Sequence, residues 1–153
     1  MATFSLYNSA VEYIGDGTFD MDNTDAWSIA LVQGTYVPDT DHTTFNDVTN
    51  AKIAVNATAN VAALAGEYWN RSTNTVTFGS DAVTFTASGG LMNADIVVIY
   101  QDAAGAGTFP VVNTDKLLGF SNIGVQSIAD GADLTVRNAG NTAQAIWFTQ
   151  KSV

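Results

Sequence analysis

Few side chains in this sequence are equipped for chemistry. There is one histidine, His42, no cysteine, and fifteen acids against five Lys and Arg. His42 stands in Pro38-Asp-Thr-Asp-His-Thr-Thr, with acids one and three residues before it and hydroxyls after it. A base and a hydroxyl nucleophile need a third group to orient the base, and neighbours in sequence do not supply that geometry. No G-x-S-x-G elbow and no G-x-x-x-x-G-K-[ST] phosphate loop is present. His42 is therefore expected to be a loop histidine making local hydrogen bonds, and no catalytic residue is assigned. The absence of Cys excludes thiol nucleophiles, thiolate zinc sites, iron–sulfur clusters and a disulfide scaffold, and a lone His excludes any site needing two imidazoles. A carboxylate pair for glycosidic chemistry could come from any two of the fifteen acids, but only Glu12 and Glu67 are Glu, and neither carries a local signature.

The cluster Asp16-Gly-Thr-Phe-Asp20-Met-Asp22-Asn-Thr-Asp25 looks like a calcium loop until its register is checked. An EF-hand started at Asp20 places Asp25 where the sharp turn needs Gly and Leu31 where the bidentate Glu belongs; one started at Asp16 ends on Trp27. These acids are expected to be solvated turn carboxylates, some accepting backbone N–H bonds, with at most a weak ion in residues 16–25. No metal and no cofactor is assigned. Tyr68, Trp69 and Trp147 are the candidates for stacking on a sugar, against packing in the core or a subunit interface. Trp147 breaks the alternation of Ile146 and Phe148, so it is expected to face away from one of two cores.

The elements that must hold these groups follow from periodicity. Phe4, Tyr7, Val11 and Ile14 recur at spacings of three and four, which predicts one helix from Phe4 to Ile14, capped by Thr3 and ended by Gly15 and Gly17. Trp27, Ile29 and Leu31 alternate with Ser28 and Ala30, which predicts a half-buried strand over Trp27 to Val32. Residues 34 to 50 are too polar for a core element and read as a long loop with one helical turn. Further strands are expected at Ile53 to Asn56, Thr75 to Phe78, Val83 to Thr86, Ile96 to Tyr100, Lys116 to Phe120, Leu134 to Val136 and Ala145 to Thr149. About eight strands and one N-terminal helix give a mainly β fold, an antiparallel sandwich, jelly roll or barrel. Ile96-Val97-Val98-Ile99-Tyr100 is apolar throughout, so it should be central and covered on both faces, one of them by the N-terminal helix.

At 153 residues the chain is expected to form a single domain, spanning 1–153, since ~150 residues is a usual domain size. The formal charge is −10. Residues 1 to 51 carry eight acids and no Lys or Arg, so most of the field comes from the N-terminal third, whose plainest meaning is a solvated rim. This balance argues against nucleic acid and anionic membrane as partners, because phosphate binding needs clustered Lys and Arg. The first residues show neither a secretory signal nor a spanning helix, so the chain is read as intracellular when made. Ala103 to Gly107 is the one flexible-looking tract.

Several segments, in order over most of the chain, resemble a family of small virion proteins from tailed bacteriophages. They are Leu6-Tyr7, Glu12-Tyr13-Ile14, Asp16-Gly17-Thr18, Asp20 to Asp25, Ile29-Ala30-Leu31, Tyr36 to Asp39, Asp41-His42-Thr43 and Asp47-Val48. Further on come Asp81 to Phe85, Ile96 to Tyr100, Leu118-Gly119-Phe120 and Ala129-Asp130-Gly131. The Tyr-x-Pro-Asp-x-Asp-His-Thr loop from Tyr36 to Thr43 is the most specific part. Val37, where Thr is usual, and a longer loop from Asp102 to Asp115 depart from the pattern. The resemblance implies a non-enzymatic virion protein made in the host cytoplasm, a capsid decoration (cement) protein bound to the major capsid protein on the outer shell. Symmetry then suggests a homodimer or homotrimer on a capsid axis, with exposed strand edges or the Asp102 to Asp115 loop at a contact. The alternatives are a tail or head–tail connector component, and a carbohydrate-binding or adhesin module on the virion surface.

Overall fold

The computed structural model describes residues 4–21, 25–105, 107–137 and 144–151. In chain order the strands are β1 (Phe4–Leu6), β2 (Trp27–Val32), β3 (Val61–Ala63), β4 (Tyr68–Ser72), β5 (Thr75–Asp81), β6 (Val83–Thr86), β7 (Met92–Gln101), β8 (Leu117–Ile128), β9 (Asp133–Val136) and β10 (Gln144–Lys151). Helices α1 (Asn8–Gly15) and α2 (Phe45–Val48) and a 3₁₀ turn at Asn50–Lys52 complete the described elements. The fold is mainly β and its strand pairs are antiparallel, as expected.

The apolar run Ile96 to Tyr100 explains the arrangement. It lies in β7, the middle strand of a five-stranded sheet ordered β1-β8-β7-β2-β3, and all five residues are buried. A strand with apolar side chains on both faces needs a cover on each. On one face Trp27 of β2 meets Phe78 of β5 at 5.8 Å between ring centroids, and Phe4 of β1 meets Trp147 of β10 at 6.1 Å. That cover is the three-stranded sheet β10-β5-β4. On the other face Phe45 of α2 lies 4.9 Å from Tyr100, and Tyr7, at the start of α1, lies 5.2 Å from Phe120 of β8. Here the cover is helix α1 together with loops. A separate pair, β6-β9, is joined at Val83↔Val136 and Phe85↔Leu134.

Several local expectations need correction. The predicted helix over Phe4 to Ile14 is divided: Phe4–Leu6 forms β1, paired Phe4↔Ser121 and Leu6↔Gly119, and the helix begins at Asn8 with Tyr7 as its N-cap. The spacing of Phe4 and Tyr7 serves a strand and a cap as well as a helix, and Val11 of the supposed apolar stripe is exposed. Thr3 lies outside the described residues. Strand β2 is buried at all six positions rather than on one face, because it is the neighbour of β7. Ile53 to Asn56 gives only an isolated bridge, Val32↔Ile53, and Asn56 has φ 59°, a left-handed conformation that ends extended pairing. Strands β1, β3 and β4 were not expected; β3 is short and Ala-rich, and β4 is an edge strand exposed from Asn70 to Ser72. Trp147 breaks the alternation because β10 bulges between Ile146 and Phe148 in its pairing with β5.

One glycine limits how closely β1 can approach. A Cβ on Gly119 would overlap the Phe4 ring and stand 2.6 Å from the Ser5 carbonyl oxygen. Gly119→Ala should therefore lower stability by about 1–3 kcal/mol. Gly15→Ala, at the open end of α1, should be neutral or stabilising. Urea unfolding followed by Trp fluorescence compares the two.

Candidate functional site

Of the sequence-predicted candidates, the loops that cover Tyr100 hold His42. His42 sits in the 34–50 loop, and its Nδ1 lies 3.0 Å from the Tyr36 hydroxyl. That hydroxyl is in turn 2.8 Å from the Tyr7 hydroxyl, and both tyrosines are buried. Burial pushes both phenols up from their ordinary value, Tyr7 the further, so both stay protonated. The three groups tie the loop to the start of α1, assisted by Asn8 N–H donating to Thr40 O at 2.8 Å and Asn8 Nδ2 to Asp41 Oδ1 at 2.7 Å. His42 thus makes local hydrogen bonds, as its neighbours in sequence suggested.

Asp47 fixes the far end of the same loop. Its Oδ2 accepts the N–H groups of Thr43 at 2.8 Å and Thr44 at 3.2 Å, ahead of α2. The Thr43 N–H is the main reason its carboxyl is held below the usual Asp range.

The acidic turn is built as expected in its described part. Asp16 Oδ1 accepts the Thr18 N–H at 2.8 Å, which lowers its carboxyl, and Asp25 Oδ2 accepts the Asp20 N–H at 2.6 Å. Asp22 lies outside the described residues. Among those described, no three His, Cys, Asp or Glu side chains gather at one point. An aromatic chain anchors the turn to the core: Tyr13 to Phe19 at 5.1 Å, Phe19 to Trp27 at 5.0 Å, and Trp27 on to Phe78.

The stacking candidates separate. Trp147 is buried and donates from Nε1 to Ser80 Oγ at 3.0 Å, so its ring is core rather than a binding face. Trp69 is half-buried and lines an open groove of about 310 Å³ with Ile14, Phe19, Asp20 and Met21. Tyr68 is also half-buried, on edge strand β4, but outside that groove.

The Asp102 to Asp115 loop contains the group that sequence reasoning missed. Its ends are carboxylates only 4% and 2% exposed. Asp102 Oδ2 accepts the Ser28 hydroxyl at 3.0 Å and the Thr108 N–H at 3.4 Å, and its Oδ1 accepts the Ala104 N–H at 3.2 Å. Ser28 Oγ also accepts the Gly107 N–H at 2.7 Å, so Gly107, in the tract that looked flexible, is bonded to a buried serine of β2. Asp115 Oδ1 accepts the Ala103 N–H at 3.2 Å, while Asp115 Oδ2 and the Tyr100 hydroxyl are buried without a hydrogen-bond partner. Asn50 clamps the loop further on, its amide giving and receiving a bond with the Val111 backbone at 2.8 Å each way. Beyond these ties the loop presents Phe109 and Val112, 49% and 41% exposed. The available signal was a Tyr-x-Asp ending an otherwise apolar buried strand, which puts polar atoms where water does not reach.

No family model, no curated protein and no solved structure matches the chain.

Two measurements test these assignments. Tyr36→Phe removes both links of the Tyr7–Tyr36–His42 chain and leaves a buried hydroxyl unpaired, so it should cost about 1–3 kcal/mol in denaturant unfolding. Burial pushes the Asp115 carboxyl up, the charge of Asp102 adds to that, and the backbone N–H groups of Ala103 and Val112 oppose it. A raised folded value means that the stability contributed by the protonated form is present at low pH and lost as pH rises through that value. Asp115→Asn should accordingly raise the Tm at neutral pH in chelator-containing buffer, with the gap closing as pH falls toward about 4.

Proposed function

We propose that this chain is a non-enzymatic structural protein of a tailed-phage particle, a decoration protein bound on the outer surface of the capsid. The observation that carries the reading is what the most phage-like segment does. Tyr36 and His42, the ends of the Tyr-x-Pro-Asp-x-Asp-His core of the resemblance, are joined to Tyr7 by hydroxyl contacts of 3.0 and 2.8 Å. These residues build a rigid surface loop, which is what a resemblance based on architecture rather than chemistry asks of them. An acidic exterior supports the same reading, since a cement protein must remain soluble before it meets the shell. On a symmetric lattice, weak individual contacts are multiplied by repetition, so a modest docking surface suffices.

The 102–115 loop is the docking element of this reading. Its ends are fixed by buried carboxylates, while Phe109 and Val112 stand exposed between them, a rigid mount for an apolar contact. The partner is the major capsid protein, with a second copy of the chain across a symmetry axis.

One observation favours a second reading, a carbohydrate-binding module on the virion surface: the open groove that places Trp69 beside Asp20. An aromatic face with an adjacent carboxylate suits a sugar ring. On that reading Trp69→Ala abolishes glycan binding and leaves attachment to capsids intact.

The capsid reading is tested by mixing the purified chain with isolated capsids. The expected result is saturable attachment, weakened at least about tenfold by Phe109→Ser with Val112→Ser while circular dichroism stays unchanged. Side-chain-resolution imaging of particles should place the density over capsomer junctions. Density along the tail, or a monomer that attaches to no capsid, overturns it.

A further inference from the structure

The root of the 102–115 loop is a buried polar pocket whose charges do not balance. Consecutive amides, Ala103 and Ala104, are taken by Asp115 Oδ1 and Asp102 Oδ1, so the two carboxylates converge on the same turn of backbone. Ser28, directly opposite Tyr100 in the β2–β7 pairing, holds Asp102 from below. The Tyr100 phenol feels the charges of both carboxylates, and its hydroxyl, on a side chain with no solvent exposure, makes no hydrogen bond of good geometry, with only the Ser28 hydroxyl close enough to ease its burial. Asp115 Oδ2 is likewise buried and unpartnered. The nearest base in sequence, Lys116, is directed elsewhere, its Nζ 5.2 Å from the centre of the Tyr13 ring.

Three species can relieve such a pocket, and two do so incompletely. A proton on Asp115 Oδ2 removes one charge but leaves that of the buried Asp102 without a counter-charge. A water can give Asp115 Oδ2 a donor but leaves two carboxylates without a counter-charge. A cation meets both needs, because it takes several oxygen ligands and neutralises the acids. We propose that Asp115, Asp102 and the Tyr100 hydroxyl form a site for one hard, oxygen-seeking divalent cation of the calcium class, held at the root of the 102–115 loop. All three side-chain donors are oxygen, which selects against zinc and copper. With two carboxylates rather than the three or four of a tight site, binding belongs to the weak class, about 10⁻⁴–10⁻³ M. The proposal stands on the pocket alone and does not depend on the capsid reading. Its consequence for the loop is mechanical: the cation joins the end of strand β7 to Asp115, two residues before β8.

The full chain, stripped with chelator, is titrated with Tb³⁺ under excitation of aromatic residues, and Ca²⁺ is then added in competition. The expected result is one saturable sensitised emission, since Tyr100 lies at the site, displaced by Ca²⁺, together with a rise in Tm on adding Ca²⁺. Asp115→Asn, which keeps the shape and removes a charge, should weaken Ca²⁺ binding by about tenfold or more in calorimetry and abolish the Tm response while remaining folded. Asp16→Asn with Asp20→Asn, in the acidic turn, should leave Ca²⁺ binding unchanged. No saturable binding by millimolar Ca²⁺, or binding that survives Asp115→Asn but is lost in the acidic-turn variant, overturns the proposal.

Discussion

Burial of both faces of one strand is the constraint on which the rest of this structure depends. Ile96 to Tyr100 has no polar side to offer water, so β7 must be enclosed, and the chain encloses it unequally. One face receives a second sheet, whose backbone is already satisfied by its own ladder. The other receives helix α1 and irregular loops, whose N–H and C=O groups have no ladder to use. Each such group needs a partner, and where no backbone group serves the partners are side chains: Asp47 for Thr43 and Thr44, Asn50 for Val111, Asp115 for Ala103, Asp102 for Ala104, Ser28 for Gly107. The buried polar residues on this side are thus a direct result of covering a sheet with loops.

That asymmetry also explains what was legible in the sequence. Strands with a strong apolar pattern, β6 and β7, were readable because their burial is written in residue type, whereas β2 was readable as a strand but not as one buried on both faces. The acidic turn and His42 were readable as local hydrogen-bonding groups, because Asp16 and Asp25 act within a few residues of themselves. What was not legible depends on partners remote in sequence. Phe4–Leu6 is a strand only because Gly119 leaves room for Phe4 on β8. Tyr68–Ser72 is a strand only because β5 pairs with it, since its own residues are mostly polar and exposed. The Tyr100–Asp102–Asp115 pocket joins residues of two strand ends with Ser28, and no spacing rule connects position 28 to position 102.

The same features bear on what the molecule does. On the proposed reading the loop from Tyr36 to Thr43 is an architectural surface, and it is fixed by the buried Tyr7 and Tyr36 hydroxyls. A surface that must fit a repeating lattice gains from such fixation, because order already present in the free chain need not be imposed at contact. Phe109 and Val112 therefore project from a mount whose geometry is set inside the protein.

The pairing of β1 with β8 has a consequence for how the chain reaches this state. Phe4 finds its partner at Ser121, and β2 finds β7 only when residues 96–101 exist. The pairs β7–β8 and β4–β5 can form between sequence neighbours, whereas β1 and β2 must wait for strands made much later and close long loops to reach them. The acidic first third, which repels its own copies, would keep nascent chains apart through that interval.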